Sequence, residues 1–389
     1  MNVTLPSNPG QAPVSRRAGR NLSSTLLAGF CGLLLAAGIS RAETHTNLQA
    51  VDANGVSTWS GSFPFTITGV LLCNPDEMLD STPNFIPWND GAGAYQMGAE
   101  WQIAFQAVAP GDRGGTFCYM GQSYGNMPWI QDSSLSYSNE AWTAEILRLH
   151  FDPATMHQFR PGDLIQVTVR QSDFYGGKRN ITEGHSIDPA YNFDISLVTS
   201  NYGLPTPEVV TLSDLKQAND TYIFDQTRAT GDEHYQGMRV RINNLTLVTT
   251  NGWNPTNSWG ARLCTATDGT GRTFPLRHSR YDLGAAPTGV FDAVGIFNQE
   301  SGSGSQGING YELIVQQVIP QTTPSLAIAQ KAALTWPVSG AALQLEYSTD
   351  LSSTNWYAVT NTPVLIEGQN TVLDSLSNPQ RFYRLHKTN

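Results

Sequence analysis

The chain has 389 residues, and its 32 Asp and Glu side chains exceed its 22 Lys and Arg side chains, giving a formal net charge of −10. The length predicts two to three domains. The acidic balance argues against a nucleic-acid-binding protein, because that class neutralises phosphates with a basic surface. The acidic excess is concentrated in residues 43–205, which carry 17 acidic and 6 basic side chains.

Residues 1–42 are predicted to form a secretory signal peptide. Three arginines precede a short apolar run at 26–37, and small residues at 40–42 are typical of a cleavage site. The run is shorter than the ~20 residues that a helix needs to span a membrane. We therefore expect a secreted, periplasmic or cell-surface protein without a transmembrane segment after cleavage.

Residues 43–205 are predicted to form a first β-rich domain with long loops. Several segments alternate apolar and polar side chains, which is typical of strands with one buried face. The clearest case places Ile165, Val167 and Val169 on one face. Segment 139–151 fits both a helical and a strand pattern, so we expect a short helix followed by a strand. The other strands are predicted at residues 65–72, 101–108, 114–120, 164–169 and 193–198.

Residues 206–320 are predicted to form a second β-rich domain. Thr211 or Ser213 is expected to cap a short helical turn. Met238, Val240 and Ile242 alternate with polar residues along a strand. Short strands separated by turns, with few helices, are typical of a small barrel or sandwich. Further strands are predicted near residues 261–265, 274–277, 291–297 and 311–315.

Two stretches of the chain carry related motifs. The first has Phe-Arg-Pro-Gly-Asp before the alternating strand at 164–169 and Phe-Tyr-Gly-Gly after it. The second has Tyr-Gln-Gly-Met-Arg-Val-Arg-Ile from position 235 and Asp-Gly-Thr-Gly from position 268. Together they resemble tandem OB-like modules of proteins secreted by planctomycete and verrucomicrobial bacteria. The resemblance implies two OB-like β-barrels, at 43–205 and 206–320.

Residues 325–389, after a linker at 321–324, form a third segment of short predicted strands around Trp336 and Trp356. This segment is similar to the C-terminal immunoglobulin/fibronectin-like β-sandwich module of verrucomicrobial exported proteins. The resemblance implies an appended surface or export-related module, and no catalytic motif comes with it. The whole chain is thus expected to be all-β. The strands are predicted at residues 333–337, 343–351, 356–359 and 381–385.

Aromatic side chains crowd the long connections of the first domain. OB folds bind ligands on a strand face and its flanking loops, often through aromatic platforms. We therefore expect a non-catalytic binding or scaffolding protein that recognises extracellular polysaccharide. The alternative is that several rings cap the core of a small barrel. The candidate ligand-binding residues are Trp88, Tyr95, Tyr119, Tyr124, Trp129 and Trp142, with Tyr137 in the same region.

A second hypothesis places an anionic polymer or a nucleic acid on the second domain. Its basic side chains cluster along the sequence, with Trp253 and Trp259 nearby. A solvated polar face is the simpler interpretation, so nucleic acid is not the expected partner. The basic residues are Arg262, Arg272, Arg277, His278 and Arg280.

A third hypothesis is a serine hydrolase centred on Ser123, within the motif Gly-Gln-Ser-Tyr-Gly. That motif exposes its serine when a strand leads into a sharp elbow and a helix follows. Pro128 follows closely here, which disfavours a helix and favours a glycine-rich turn. A catalytic Ser123 would also need an acid and a histidine, such as His185 or His278.

Carboxylates in the loop region 74–100 are candidates for a cation site, with Ca²⁺ as the ion because calcium prefers oxygen ligands. No EF-hand pattern accompanies them, and the histidines lack a zinc spacing. No cofactor other than Ca²⁺ is expected. The candidate ligands are Asp76, Glu77, Asp80 and Asp90.

Three cysteines, Cys73, Cys118 and Cys264, remain after residues 1–42 are removed, so at most one intramolecular disulfide can form. Cys73 and Cys118 fall in the same domain and are the expected pair. Buried free thiols are the alternative, because free cysteine packs as a small apolar side chain.

Overall fold

The computed structural model describes residues 41–88, 96–302, 307–321, 331–338, 342–375 and 380–388. The chain divides into two units, Met1–Ile319 and Pro320–Asn389. Both predicted barrel segments lie in the first unit, and the predicted C-terminal module lies in the second. Nearly all of the predicted signal peptide lies outside the described residues.

The fold is all-β, as the sequence predicts, with a few short helices. These are α1 (His45–Leu48), α2 (Asn139–His150), α3 (Leu212–Leu215) and α4 (Gly231–Tyr235). Among the described residues, no helix is both long enough and apolar enough to cross a membrane. The strands of the first sheet are β1 (Arg41–Ala42), β2 (Phe65–Leu71), β3 (Glu100–Gln106), β4 (Gly115–Gly121), β5 (Leu164–Val169), β6 (Ser172–Tyr175), β7 (Lys178–Ile181) and β8 (Asp194–Thr199).

The remaining strands form three further sheets. Those of the second sheet are β9 (Glu208–Val210), β10 (Arg239–Leu247), β11 (Leu263–Thr267), β12 (Thr273–His278), β13 (Phe291–Gln299) and β14 (Tyr311–Pro320). Those that follow are β15 (Lys331–Pro337), β16 (Leu343–Ser348), β17 (Tyr357–Ala358), β18 (Val364–Ile366), β19 (Gln369–Ser375) and β20 (Phe382–Lys387).

The first sheet curls back towards itself. Its strand order is β6-β7-β4-β3-β2-β5-β8, with β1 beside β2. Strand β6 follows β5 after only two residues, so the chain itself connects the two sides of this path. Ile165, Val167 and Val169 of β5 are fully buried, which confirms the predicted alternation. They belong to a core that also contains Trp101, Phe105 and Phe193.

Helix α2 differs from the expectation for residues 139–151, which placed a strand at the end of this segment. Ser138 caps the helix, and Arg148 in the last turn suits the helix dipole. Trp142 and Leu149 are buried, whereas Leu147 is 55% exposed. The buried residues therefore follow a helical stripe to the end of the segment, and the predicted strand face was wrong.

The second sheet closes into a five-stranded barrel. Its order is β11-β12-β14-β13-β10-β9, and β10 also pairs with β11. Strands β12 and β14 pair in parallel, as β4 and β7 do in the first sheet. Met238, Val240 and Ile242 are buried, which confirms the predicted inward face. Of the two predicted caps, Thr211 precedes α3 and forms its capping box.

The two sheets of the first unit pack face to face. Ile296 on β13 and Ile314 on β14 point away from their own barrel core and join the apolar cluster of the first sheet. The backbone N–H of Gly115 on β4 donates to the carbonyl oxygen of Gln236 at 3.0 Å. Gly115 also lies against the backbone of Gly237, leaving no room for a side chain.

The second unit consists of two three-stranded sheets, β15-β19-β18 and β17-β16-β20. Its buried apolar core contains Trp336, Leu345 and Val372. Strands β18 and β19 were not predicted, because β18 has only three residues and β19 is mostly polar.

Gly115→Ala is expected to destabilise the first unit. An added Cβ would lie 2.0 Å from the carbonyl oxygen of Gly237, so the second barrel must move away from the first sheet. Overpacking of this kind costs about 1–3 kcal/mol, which urea unfolding of the full chain measures. Gly289→Ala is the control, because its Cβ meets nothing within 4 Å. Equal stability of the two variants would contradict the close packing of the barrel on the sheet.

Candidate functional site

A pocket of about 480 Å³ lies where the first sheet meets the second barrel. We call it the junction pocket. Strands β3, β4, β6 and β7 supply most of its wall, and the second barrel adds one aromatic and one acidic residue. The aromatic lining is Tyr119, Trp129, Phe174, Tyr175 and Trp259. The main polar lining is Glu100, Gln102, Asp173, Lys178, Asn180 and Glu300.

The alternation of β3 directs polar side chains into the junction pocket. Trp101 and Ile103 pack in the core of the first sheet, so Glu100 and Gln102 face outward. Tyr119 of β4 lies directly opposite Gln102 in the antiparallel ladder, which places both on the same face.

A tight hairpin forms a second wall of the pocket. Tyr175 pairs with Lys178, so Gly176 and Gly177 make a two-residue turn between β6 and β7. Both glycines have positive φ, 63° and 98°, which a two-residue hairpin turn of the I′ type requires. Glycine at these positions therefore sets the register that brings the side chains of the hairpin to the pocket.

Several aromatic rings of the pocket are accessible. Trp129 is 61% exposed and Tyr175 is 48% exposed. Trp259 is oriented by the guanidinium of Arg277, which lies 3.9 Å from the centroid of its ring. Exposed flat rings held by different elements can pack against the apolar faces of a ligand from more than one side.

Carboxylates dominate the polar part of the pocket. The hydroxyl of Tyr119 donates to Glu100 Oε1 at 2.7 Å. Burial raises the pKa of Glu100, and the negative charge of Glu300 adds to the increase. Burial also lowers the pKa of Lys178. Asp173 accepts a hydrogen bond from the hydroxyl of Thr182 at 2.8 Å, so its carboxylate is held in place.

His185 lines the pocket in a strained conformation. Its φ is +59°, in the left-handed region that favours glycine, and strain of this kind costs about 1–3 kcal/mol. The ring packs edge-on against Tyr124, with centroids 4.3 Å apart. Burial lowers the pKa of His185, which favours the neutral imidazole. Its Nδ1 has no hydrogen-bond partner in the described part of the chain.

The structure separates the predicted aromatic residues into three groups. Tyr119 and Trp129 line the junction pocket. Tyr124 is fully buried behind it, and Trp142 is fully buried with its Nε1 donating to the carbonyl oxygen of Ser81. Neither ring forms the accessible platform expected of it, since each packs within the core. Trp88 is partly buried away from the pocket, Tyr137 is buried, and Tyr95 lies outside the described residues.

Sequence reasoning missed most of the polar lining. Phe-Tyr-Gly-Gly was noted only as part of a related pair of motifs, whereas two glycines between β-forming segments are a hairpin signal. That signal would have placed Tyr175 and Lys178 opposite each other. Nothing in the sequence indicated that Trp259 and Glu300 of the second barrel would meet this hairpin.

Ser123 does not lie on a nucleophile elbow. The residues after it, Tyr124–Asn126, form a 3₁₀ turn rather than an α-helix. The side chain is fully buried, and its Oγ accepts a hydrogen bond from the backbone N–H of Ile86 at 3.3 Å. Neither Ser123 nor His278 is part of the junction pocket, so the hydrolase hypothesis has no geometric support.

The candidate calcium ligands bind different partners within the protein instead of facing one another. Asp76 accepts from the hydroxyl of Ser81, Glu77 accepts from the amide of Gln316 at 2.7 Å, and Asp80 pairs with an arginine of the second barrel. Within the described residues, no group of three or more metal-binding side chains converges. Asp90 lies outside the described residues.

The expected disulfide is not formed. Cys73, Cys118 and Cys264 are free, buried thiols. Cys73 Sγ accepts a hydrogen bond from the N–H of Ala104 at 3.4 Å within the core of the first sheet. Burial raises the pKa of the Cys73 and Cys118 thiols well above the usual value, which keeps them protonated. The alternative of packed thiols therefore describes these residues.

Arg262 and Arg280 of the second barrel line a pocket of about 580 Å³ next to the junction pocket, but both side chains have partners within the protein. Arg262 is buried and donates to the carbonyl oxygens of His278 and Met78. Arg277 is buried against Glu312, with its Nη2 2.6 Å from Oε2. The two other arginines are also engaged: Arg272 donates to the carbonyl oxygen of Lys216, and Arg280 pairs with Asp80.

Comparisons of the chain with protein-family models, with curated proteins and with solved structures found no significant match. Function must therefore be inferred from the geometry of the junction pocket and the chemistry of its lining.

A buried carboxyl pair behind the pocket anchors the loop that carries His185. Glu183 hydrogen-bonds to Glu145 of α2 and accepts a hydrogen bond from the hydroxyl of Tyr137. Burial raises the pKa of Glu183 to about 9, and the contact with Glu145 adds to the increase. Arg148 donates to both oxygens of Glu145. The raised pKa therefore favours a proton that is carried by Glu183 and shared with Glu145.

Glu183→Gln is expected to flatten the pH dependence of the unfolding free energy. As pH rises from 4.5 towards about 9, the unfolded chain releases a proton that folded Glu183 retains, so the wild type loses stability. Glutamine has no such proton, and the variant gains up to ~1.4 kcal/mol per pH unit relative to wild type. Urea unfolding at several pH values measures this difference.

The control is Glu140→Gln, which removes an exposed carboxylate from α2, the helix that also carries Glu145. It is expected to keep the wild-type slope above pH 4.5. If wild type and Glu183→Gln give parallel curves, the shared proton does not exist.

Proposed function

We propose that this chain is an exported, non-catalytic binding protein that recognises extracellular polysaccharide in the junction pocket. The observation that carries the proposal is the combination of accessible rings, Trp129 and Tyr175, with hydrogen-bonding groups in one pocket of about 480 Å³. Pockets of roughly 300–1,000 Å³ with a few oriented polar groups are typical of small-molecule sites. A sugar presents both an apolar ring face and several hydroxyl donors, which this lining complements.

We also propose that both barrels are OB-like. When the strands of each barrel are numbered along the chain, their order in the sheet is first, second, third, fifth and fourth. The third and fifth strands are parallel. In the first sheet this count takes β5 and β6 as one bent fourth strand. OB folds bind ligands on the face of strands two and three. The junction pocket lies on the corresponding strands, β3 and β4, which supports its assignment as the binding site.

The C-terminal unit is proposed to be an immunoglobulin/fibronectin-like sandwich. Its two three-stranded sheets and shared apolar core support this assignment. Together with the signal-peptide pattern of residues 1–42, it favours a secreted, periplasmic or cell-surface protein that resembles planctomycete and verrucomicrobial exported proteins. Polysaccharide or another cell-surface component is the proposed partner, and no cofactor takes part in the proposed binding.

Tyr175→Ala is expected to weaken glycan binding by the full chain. The lost ring contact is worth about 0.5–1.5 kcal/mol beyond buried area, which is roughly a threefold to tenfold loss of affinity. Isothermal titration with the best ligand from a glycan panel measures the change. Tyr175 is 48% exposed, so the substitution is expected to leave the fold intact.

Tyr202→Ala is the matched control, since Tyr202 is 52% exposed and lies outside the pocket. It is expected to bind like the wild type. Failure of the wild-type chain to bind any member of a broad panel, or equal losses in both variants, would contradict the proposed site.

A further inference from the structure

The junction pocket offers hydrogen-bond acceptors more than donors. Three carboxylates, those of Glu100, Asp173 and Glu300, line it together with a single ammonium, that of Lys178. The ammonium is already engaged, because Lys178 Nζ lies 2.6 Å from Asn298 Oδ1 in the barrel interface. A ligand therefore meets an excess of negative charge and of acceptor oxygens.

Asn180 adds an acceptor that has no partner. Its side chain lines the pocket and is only 9% exposed. Its Oδ1 is buried and makes no hydrogen bond within the described residues. A buried acceptor without a partner costs about 1–3 kcal/mol, and a donor supplied by a ligand would recover part of that free energy. This atom points to a donor-bearing ligand independently of the carboxylates.

A metal ion does not fit this arrangement. Calcium needs about six to eight oxygen ligands around one point, whereas no three metal-binding side chains converge within the described residues. The carboxylates are instead distributed around a pocket of about 480 Å³. Aromatic faces also attract cations, and Trp129 and Trp259 line the same pocket. An extended ligand with both ring faces and positive charge matches all of these features.

We propose that the junction pocket selects glycans that carry protonated amino groups. This inference rests on the proposed glycan-binding function and names its ligand class. The ammonium groups of the glycan donate to the carboxylates of Asp173 and Glu300 and to the Asn180 side-chain oxygen. The sugar rings pack against Tyr175 and Trp129.

The test compares two oligosaccharides of equal length on the full chain by isothermal titration at mildly acidic pH. One is a glucosamine oligosaccharide with free amines, and the other is its N-acetylated counterpart. We expect the free amine to bind about tenfold more tightly, the effect of one additional charge contact in a partly buried site. The double variant Asp173→Asn with Glu300→Gln is expected to reduce this preference to less than about threefold.

Two controls separate the outcomes. Asp268→Asn, a carboxylate outside the pocket, is expected to keep the full preference, and Tyr175→Ala is expected to weaken both ligands equally. If both oligosaccharides bind equally well, the charge selectivity is overturned while glycan binding stands. If neither oligosaccharide binds but another glycan does, the amine selectivity is overturned and glycan binding again stands. If no glycan binds, the proposed function fails with it. Equal competition by a linear polyamine would overturn the requirement for a sugar.

Discussion

The packing of the second barrel against the outer face of the first sheet is the contact on which the candidate site depends. The side-chain amide of Gln236 donates to the carbonyl oxygen of Gly177 at 3.0 Å and to Gln299 Oε1 at 2.6 Å. These bonds hold the β6–β7 turn against the second barrel. The same interface places Trp259 and Glu300 beside a hairpin that is distant from them in sequence.

The packing has this effect because the first sheet and the second barrel have different outward faces. On the second barrel, Ile296 and Ile314 are apolar and are buried in the interface. On the first, Glu100 and Gln102 are polar and occur at the end of the same face. Ile296 and Ile314 supply apolar contact in the interface, and the polar end lines the pocket. A strand face that would otherwise be fully solvated thus becomes a concave site with restricted access to water.

Part of the acidic excess of the chain lies in the junction pocket. The acidic excess of residues 43–205 is visible in the sequence, but most of its carboxylates are engaged in caps, turns and ion pairs. Arg148, for example, pairs with Glu145 and with Asp194. Asp173 differs from these because it accepts a hydrogen bond from the hydroxyl of Thr182 and faces His185 at 3.8 Å, and burial lowers the pKa of that histidine. Its carboxylate therefore keeps negative charge available to a ligand.

Periodicity predicted the strands well because alternation depends only on which face of a strand is buried. Segment 164–169 and the Met238 strand follow this rule. The end of α2 was predicted incorrectly, because Leu149 fits both a helical stripe and a strand face until the burial of Trp142 is known. Tyr119 and Trp129 could be predicted as candidate site residues because aromatic residues are frequent in the long loops of the first domain. Trp259 could not be predicted as a site residue, because its place in the pocket depends on packing between segments far apart in sequence.

Hydrogen exchange of the full chain, with and without a bound glycan, tests whether the ligand binds in the junction pocket. A ligand bound there is expected to protect amides in two segments at once, the β6–β7 hairpin and the turn Trp259–Arg262. Both segments border the junction pocket, although one belongs to the first sheet and the other to the second barrel. Protection confined to other parts of the chain, with neither segment affected, would show that the ligand binds elsewhere and would contradict the account.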